Sequence, residues 1–212
     1  MSLDVAWAQA WIRSSAQVLA EHRAELNTLD REIGDGDHGE NMDRGFQAVL
    51  PKLDGLADDA TPGDALKTLA STLISTVGGA AGPLYGTAYL KAATAVTGVD
   101  ELDGAAVVAL LTAARDGIVL RGKAESGDKT MIDAWTPAVE AAEQAQAAGA
   151  DPALVLAAAA DAAEAGAVGT EPLVARKGRA SYLGERAIGH RDPGAQSTAL
   201  ILRSGADAAA SS

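Results

Sequence analysis

Residues 31–45 read REIGDGDHGENMDRG, and the fold turns on what the GDGDHG at 34–39 is for. Those six residues satisfy G-x-G-x-x-G, the fingerprint with which a strand-turn-helix unit of a doubly wound α/β protein receives a pyrophosphate. That reading needs a strand just before the first glycine. Instead, from Leu3 to about Leu26 the apolar residues Val5, Trp7, Trp11, Ile12, Val18 and Leu19 recur at helical spacing with charged residues between them, so a helix leads into the loop. The fingerprint would also press Asp35 and Asp37 against bare phosphates, where like charges a few ångströms apart cost on the order of several kcal/mol in a partly buried site. Both objections point to an all-α protein.

Composition agrees. Of 212 residues, 48% are hydrophobic but only 3% aromatic, and alanine dominates, which favours close-packed helices over a sheet-rich core. A net charge of −12 repels nucleic acid and anionic membranes, so neither is an expected partner. There is no cysteine for disulfides or thiolate metal sites, and no basic-then-apolar leader, so the expected location is the cytoplasm.

Helical periodicity continues over roughly 41–53, 62–77, 83–96, 104–120, 131–148, 152–167 and 197–208, which with the first segment predicts about eight helices in one domain. Thr61-Pro62 and Asp151-Pro152 place a capping residue before a proline at the first helical position, and Gly98 and Gly149 are candidate C-terminal caps. Glycine concentrates in joints at 34–39, 78–82, 122–128 and 166–194. In an up-and-down bundle alternate joints fall at the same end, where they can share a site.

Each joint carries chemistry. Asp30, Asp35 and Asp37 offer three hard oxygen ligands within eight residues, a set suited to magnesium bridging to phosphate; the same residues also read as an acidic turn, since Asp-Gly pairs form turns. No EF-hand is present, because the loop lacks its ligand spacing and a glutamate at the twelfth position. GIVLRGKA at 117–124 approaches the phosphate loop G-x-x-x-x-G-K-[ST] but ends in Ala124, which has no hydroxyl, and reads better as a helix end capped by Gly122. VGGAAGPLYG at 77–86 puts Gly78, Gly79 and Gly82 ahead of Pro83 at a helix start, a place for an anion or a tight turn. Arg176, Lys177, Arg179, Arg186 and Arg191 form one basic group and Arg121, Lys123 and Lys129 another, each flanking a glycine-rich joint. His22 reads as surface and the three tryptophans as core, while His38 and His190 sit in joints, where polar contact to phosphate suits them better than covalent chemistry.

Taken together, LDREIGDGDHGENMDRG, GGAAGPLYGTAYL, GKAESGDKTMIDAWTPA and RKGRASYLGERAIGHRDPGA resemble the nucleotide-binding subunit of dihydroxyacetone kinases, over about 29–194 and in the same order. The resemblance implies an eight-helix up-and-down barrel whose joints at one end enclose ADP or ATP with two magnesium ions. By it, Asp30, Asp35 and Asp37 ligate the metals, His38, Gly39, Glu40 and Asn41 with Gly78, Gly79, Ala80 and Ala81 line the phosphates, and Gly122, Thr130, Met131, Arg179, Asp192, Pro193 and Gly194 surround the adenosine. Ala80 and Ala81 depart from relatives with serine there, which removes a hydroxyl contact but not a backbone one. The resemblance further implies a separate subunit holding dihydroxyacetone, which nothing in this sequence resembles. A free-standing chain of this length favours the arrangement in which ADP stays bound and is recharged by a phosphoenolpyruvate-dependent phosphocarrier. Two other functions stay open: a kinase subunit for another short ketose or polyol, and a nucleotide-loaded regulatory subunit that binds a transcription factor.

Overall fold

A computed structural model describes residues 3–211. The α-helices are α1 (Val5–Glu21), α2 (Arg23–Ile33), α3 (His38–Leu53), α4 (Pro62–Thr76), α5 (Ala81–Ala95), α6 (Gly104–Gly122), α7 (Ile132–Ala147), α8 (Pro152–Gly169) and α9 (Pro193–Ser211), with a 3-10 segment at Arg179–Ala187. Among the described residues there is no strand, only one antiparallel bridge between Leu3 and Leu102.

Eight of these helices form a ring. α1 packs on α3, then α3 on α4, and so on in chain order to α9, which returns to α1. α2 stands outside that circuit and packs on α3, α9 and the 3-10 segment. The expected eight-helix barrel is therefore present, and the extra helix comes from the first expected segment, which breaks at His22 (φ −91°, ψ 6°). No proline or glycine marks this break. The reason is tertiary: α1 is committed to the ring through Trp7, Trp11, Ile12 and Leu19, whereas α2 runs on to Ile33 beneath the 3-10 segment.

The ring closes on aromatic groups. Trp7 and Trp11 stack with centroids 5.2 Å apart, and Trp11 meets Tyr89 edge-on at 6.0 Å. Their indole N–H groups donate to the carbonyls of Gly205 (3.1 Å) and Ile201 (2.7 Å) on α9, so burial of these polar atoms costs little. All three tryptophans are buried, as the sequence reading expected. α8 is long and apolar enough to cross a membrane by length and composition, yet a third of it is buried, and its Asp161 and Glu164 pair with Arg203.

Several boundaries shift for identifiable reasons. α3 starts at His38 because Asp30 and Asn27, both on α2, accept from the N–H groups of Asp37, His38 and Glu40. α9 starts at Pro193, since the Asp192 carboxylate accepts from Ala195 N–H at 2.8 Å. Gly98 and Gly149 do take positive φ beyond α5 and α7, but Gly122 is the last residue of α6, and Lys123 (φ 54°) adopts the left-handed conformation that ends it. GIVLRG is helical throughout, so it forms no phosphate loop.

Candidate functional site

One cleft is lined by residues from the four connections that follow α2, α4, α6 and α8, the third contributing Lys129 and Thr130. Asp30 reaches it from the last turn of α2, and Asp35 and Asp37 from the joint behind it; ligand oxygens of the three lie within 4.8 Å of one another. The approach depends on Gly34, where a Cβ would sit 2.1 Å from Asp30 Oδ1. Asp30 Oδ2 accepts from the backbone N–H of Asp37 (2.9 Å) and of His38 (3.2 Å), and Asp35 pairs with Arg179. Three carboxylates held this close repel one another unless a cation joins them, and an all-oxygen donor set fits magnesium better than a softer metal. A turn needs one such group, as Asp30 shows; it gives no reason to gather three.

Facing the carboxylates is the start of α5. Ala80 supplies no side-chain cap, and Gly78, Gly79, Ala80 and Ala81 line the cleft. The first amide groups of a helix have no internal acceptor and carry a partial positive charge, so this end can receive an anion without a hydroxyl. Gly82 permits the turn, because a Cβ there would lie 2.2 Å from the Val77 carbonyl. Beyond Ala80 the wall becomes apolar: Pro83, Leu84, Ile118, Ala124, Met131 and Ile132 form a second recess, with Arg121 and Lys177 at its edge. The cleft thus grades from acidic, through exposed backbone amides, to a hydrophobic slot.

His38 lies where α3 meets α9. Its Nε2 hydrogen-bonds Ser197 Oγ at 2.8 Å, and Ser197 in turn meets the buried Tyr85 hydroxyl at 2.8 Å. Burial lowers the His38 pKa to about 4, against the opposing pull of Asp30, Asp37 and Asp35, so the ring is neutral near pH 7. Burial likewise raises Tyr85, which stays a phenol bonded to Ser197, Thr198 and the Gly194 carbonyl. Asp192 is pushed up to about 7, first by burial and also by Asp133 and Asp30, although the Ala195 N–H and Lys129 oppose the shift.

The candidate residues fall into place unevenly. Asp30, Asp35, Asp37, His38, Asn41, Gly78, Gly79, Ala80, Ala81, Thr130, Arg179, Asp192 and Pro193 line the main cleft. Gly122, Thr130 and Met131 line the apolar recess, and Gly194 a small hollow beside His38. Asp192 and Pro193 also line that hollow, together with Thr130 and Met131, whereas Arg179 lines the main cleft beside Asp35. Gly39 is packed beneath it, where a Cβ would meet the Arg23 carbonyl at 2.2 Å. His190 faces Glu32 at 3.9 Å, and His22 pairs with Glu25 on the surface. Sequence reasoning did not single out Ser197 or Tyr85, and it placed Lys129 in a basic group beside a joint but not in the interior, where the structure buries it. Helical spacing could flag Tyr85 as core, but no local signal marks Ser197 or the burial of Lys129.

Residues 32–207 match the family described as the DAK2 domain. The chain is 44% identical over 203 residues to the ADP-binding subunit DhaL of the PEP-dependent dihydroxyacetone kinase of Escherichia coli (strain K12), covering 96% of each. It is 35% identical over 195 residues to the L-erythrulose 1-kinase of Mycolicibacterium smegmatis, covering 92% of this chain and 34% of that one. It also resembles the crystal structure of the dihydroxyacetone kinase from C. freundii in complex with AMP-PNP and Mg2+ (TM-score 0.70, 27% identity), covering 95% of this chain and about a third, 34%, of the other.

Proposed function

The chain belongs to the DAK2-domain family, and from that premise we propose that it is the nucleotide-binding subunit of a dihydroxyacetone kinase, a cytoplasmic phosphotransferase subunit that acts with a substrate-binding partner. The observation that carries the reading is the gradation of the cleft, in which three clustered carboxylates, uncapped helix amides and an apolar slot follow one another in the order of metal, phosphates and adenine. Residues 1–212 are read as one nucleotide-binding domain, which closure of the helical ring supports.

In this reading Asp30, Asp35 and Asp37 would hold two magnesium ions beside the bound phosphates. His38, Asn41 and the Gly78–Ala81 backbone bind phosphate oxygens, with Gly39 packed beneath them, and Gly122, Thr130 and Met131 flank the adenine, with Arg179, Asp192, Pro193 and Gly194 closing the far wall. Bound magnesium supplies neutralisation of the charge that develops during phosphoryl transfer. The chain itself supplies position: amides fixed in a helix end need no reorganisation as charge moves. A neutral His38, held by Ser197, offers a polar contact without adding charge. No residue here has to act as a covalent nucleophile.

The PEP-dependent name of the E. coli relative supports a tightly held ADP, recharged by a phosphocarrier and passing its phosphoryl group to dihydroxyacetone on the partner subunit. The L-erythrulose kinase supports a second reading, in which the acceptor is another short ketose chosen by the partner. Denaturing the purified protein after extensive dialysis and chromatographing the released nucleotides tests the first. About one ADP per chain is expected; a nucleotide-free chain that turns over added ATP with its partner would replace the cofactor role with an exchangeable substrate.

A further inference from the structure

Lys129 is 1% exposed and holds a left-handed backbone, φ 61°, that glycine adopts more easily. Its side chain must therefore offset the strain. The ammonium donates to the carbonyls of Thr170 (2.7 Å), His190 (2.5 Å) and Glu171 (3.4 Å), groups that the 170–192 joint brings together from its two ends. Thr170 and Glu171 directly follow α8, where the negative pole of the helix favours a cation, and their carbonyls also accept from the N–H groups of Leu173 (3.1 Å) and Gly189 (2.8 Å). Nearby contacts extend the tie: Arg176 N–H donates to the Asp128 carbonyl at 3.0 Å, and Asp192 N–H to Thr170 Oγ1 at 2.9 Å. The joint itself has a small apolar cluster of Ile33, Ala175, Ala180 and Ala187, separate from the ring's core. A polar tie thus does here what hydrophobic packing does between the ring helices.

We propose that Lys129 is a positioning residue which sets the spacing between the two walls of the nucleoside half of the cleft, Thr130 and Met131 on one side and Asp192 and Pro193 on the other. The inference rests on the nucleotide reading above. It places Lys129 outside direct phosphate recognition, since its donors are spent on backbone carbonyls.

Calorimetric titration with magnesium-ADP and, separately, magnesium-pyrophosphate tests it on the full chain stripped of nucleotide. Lys129→Met keeps the length and loses the donors; Lys129→Gly also relieves the left-handed backbone and guards against a variant that fails to fold. Both are expected to weaken magnesium-ADP at least tenfold while changing magnesium-pyrophosphate less than twofold, because the triad and the α5 amides are untouched. Parallel loss of both ligands, or wild-type affinity for both alongside a lower melting temperature, would overturn the positioning role. If wild type itself binds pyrophosphate but not ADP, the nucleotide reading fails first and the inference with it.

Discussion

The two ends of the helical ring are built differently. At the end remote from the cleft every ring helix that starts there is capped by the residue just before it: Asp4 for α1, Thr61 for α4, Asp103 for α6 and Asp151 for α8. Thr61 and Asp64 form a full capping box. At the cleft end α3 borrows Asp30 and Asn27 from α2, and α5 has no side-chain cap at all. α9 is capped by Asp192, a cleft residue itself pushed up to about 7. One end spends its polar groups on its own helices, and the other leaves them facing a common space. Capping residues at the second end should therefore govern ligand binding, and those at the first end stability alone.

The largest expected effect tests the buried carboxyl. The folded pKa of Asp192, about 7, lies above its ordinary 3.8, so its favourable contribution is complete below pH 4 and is lost as pH rises through 7. The shift bounds the loss at about 4 kcal/mol. Asp192→Asn keeps the cap and removes the titration, so the ligand-free variant should melt higher than wild type at pH 8, with the difference gone at pH 4. His38 runs the other way: its pKa falls from 6.5 to about 4, so its contribution is present above 6.5 and lost on acidification through 4. The two trends oppose one another between pH 4 and 6.5, and the variant should expose the histidine's acid sensitivity there. Identical pH profiles for both proteins would show that Asp192 ionises normally.

Next in size is Gly34→Ala, whose Cβ would collide with Asp30 Oδ1. Titration should show magnesium-ADP affinity reduced by about 30-fold, equivalent to ~2 kcal/mol, with the helical content by circular dichroism unchanged. The smallest effect belongs to the remote end, where Thr61→Ala should lower stability by about 1 kcal/mol in chemical denaturation. Its magnesium-ADP affinity should equal that of wild type. A change in affinity would mean that the two ends are coupled.

The same contrast explains what could be read from the sequence. Caps at Thr61-Pro62 and Asp151-Pro152 are local, so they were legible, and so was the helical periodicity that yields the ring. The break at His22 and the role of Lys129 depend on partners far along the chain: Lys129 reaches a carbonyl 61 residues away. The start of α9 at Asp192-Pro193 is as local as the other two proline caps and was missed, whereas α3 starts early through Asn27 and Asp30 on the preceding helix. The acidic triad was legible as a motif because its members are neighbours in sequence. Its neutral companion His38 was legible as a joint residue, but not its link through Ser197 to Tyr85, which spans two other helices.

The account stands most directly on the three carboxylates. Asp37→Asn preserves side-chain size and turn-forming ability while removing one charge from the triad. Melting temperatures should be taken with and without magnesium-ADP for wild type and variant. Wild type at a ligand concentration near 100 times Kd should gain about 2.7 kcal/mol, and the variant, with a similar apo melting temperature, should lose nearly all of that gain. Equal stabilisation of the two proteins would contradict the metal-bridged site and leave the loop as an acidic turn.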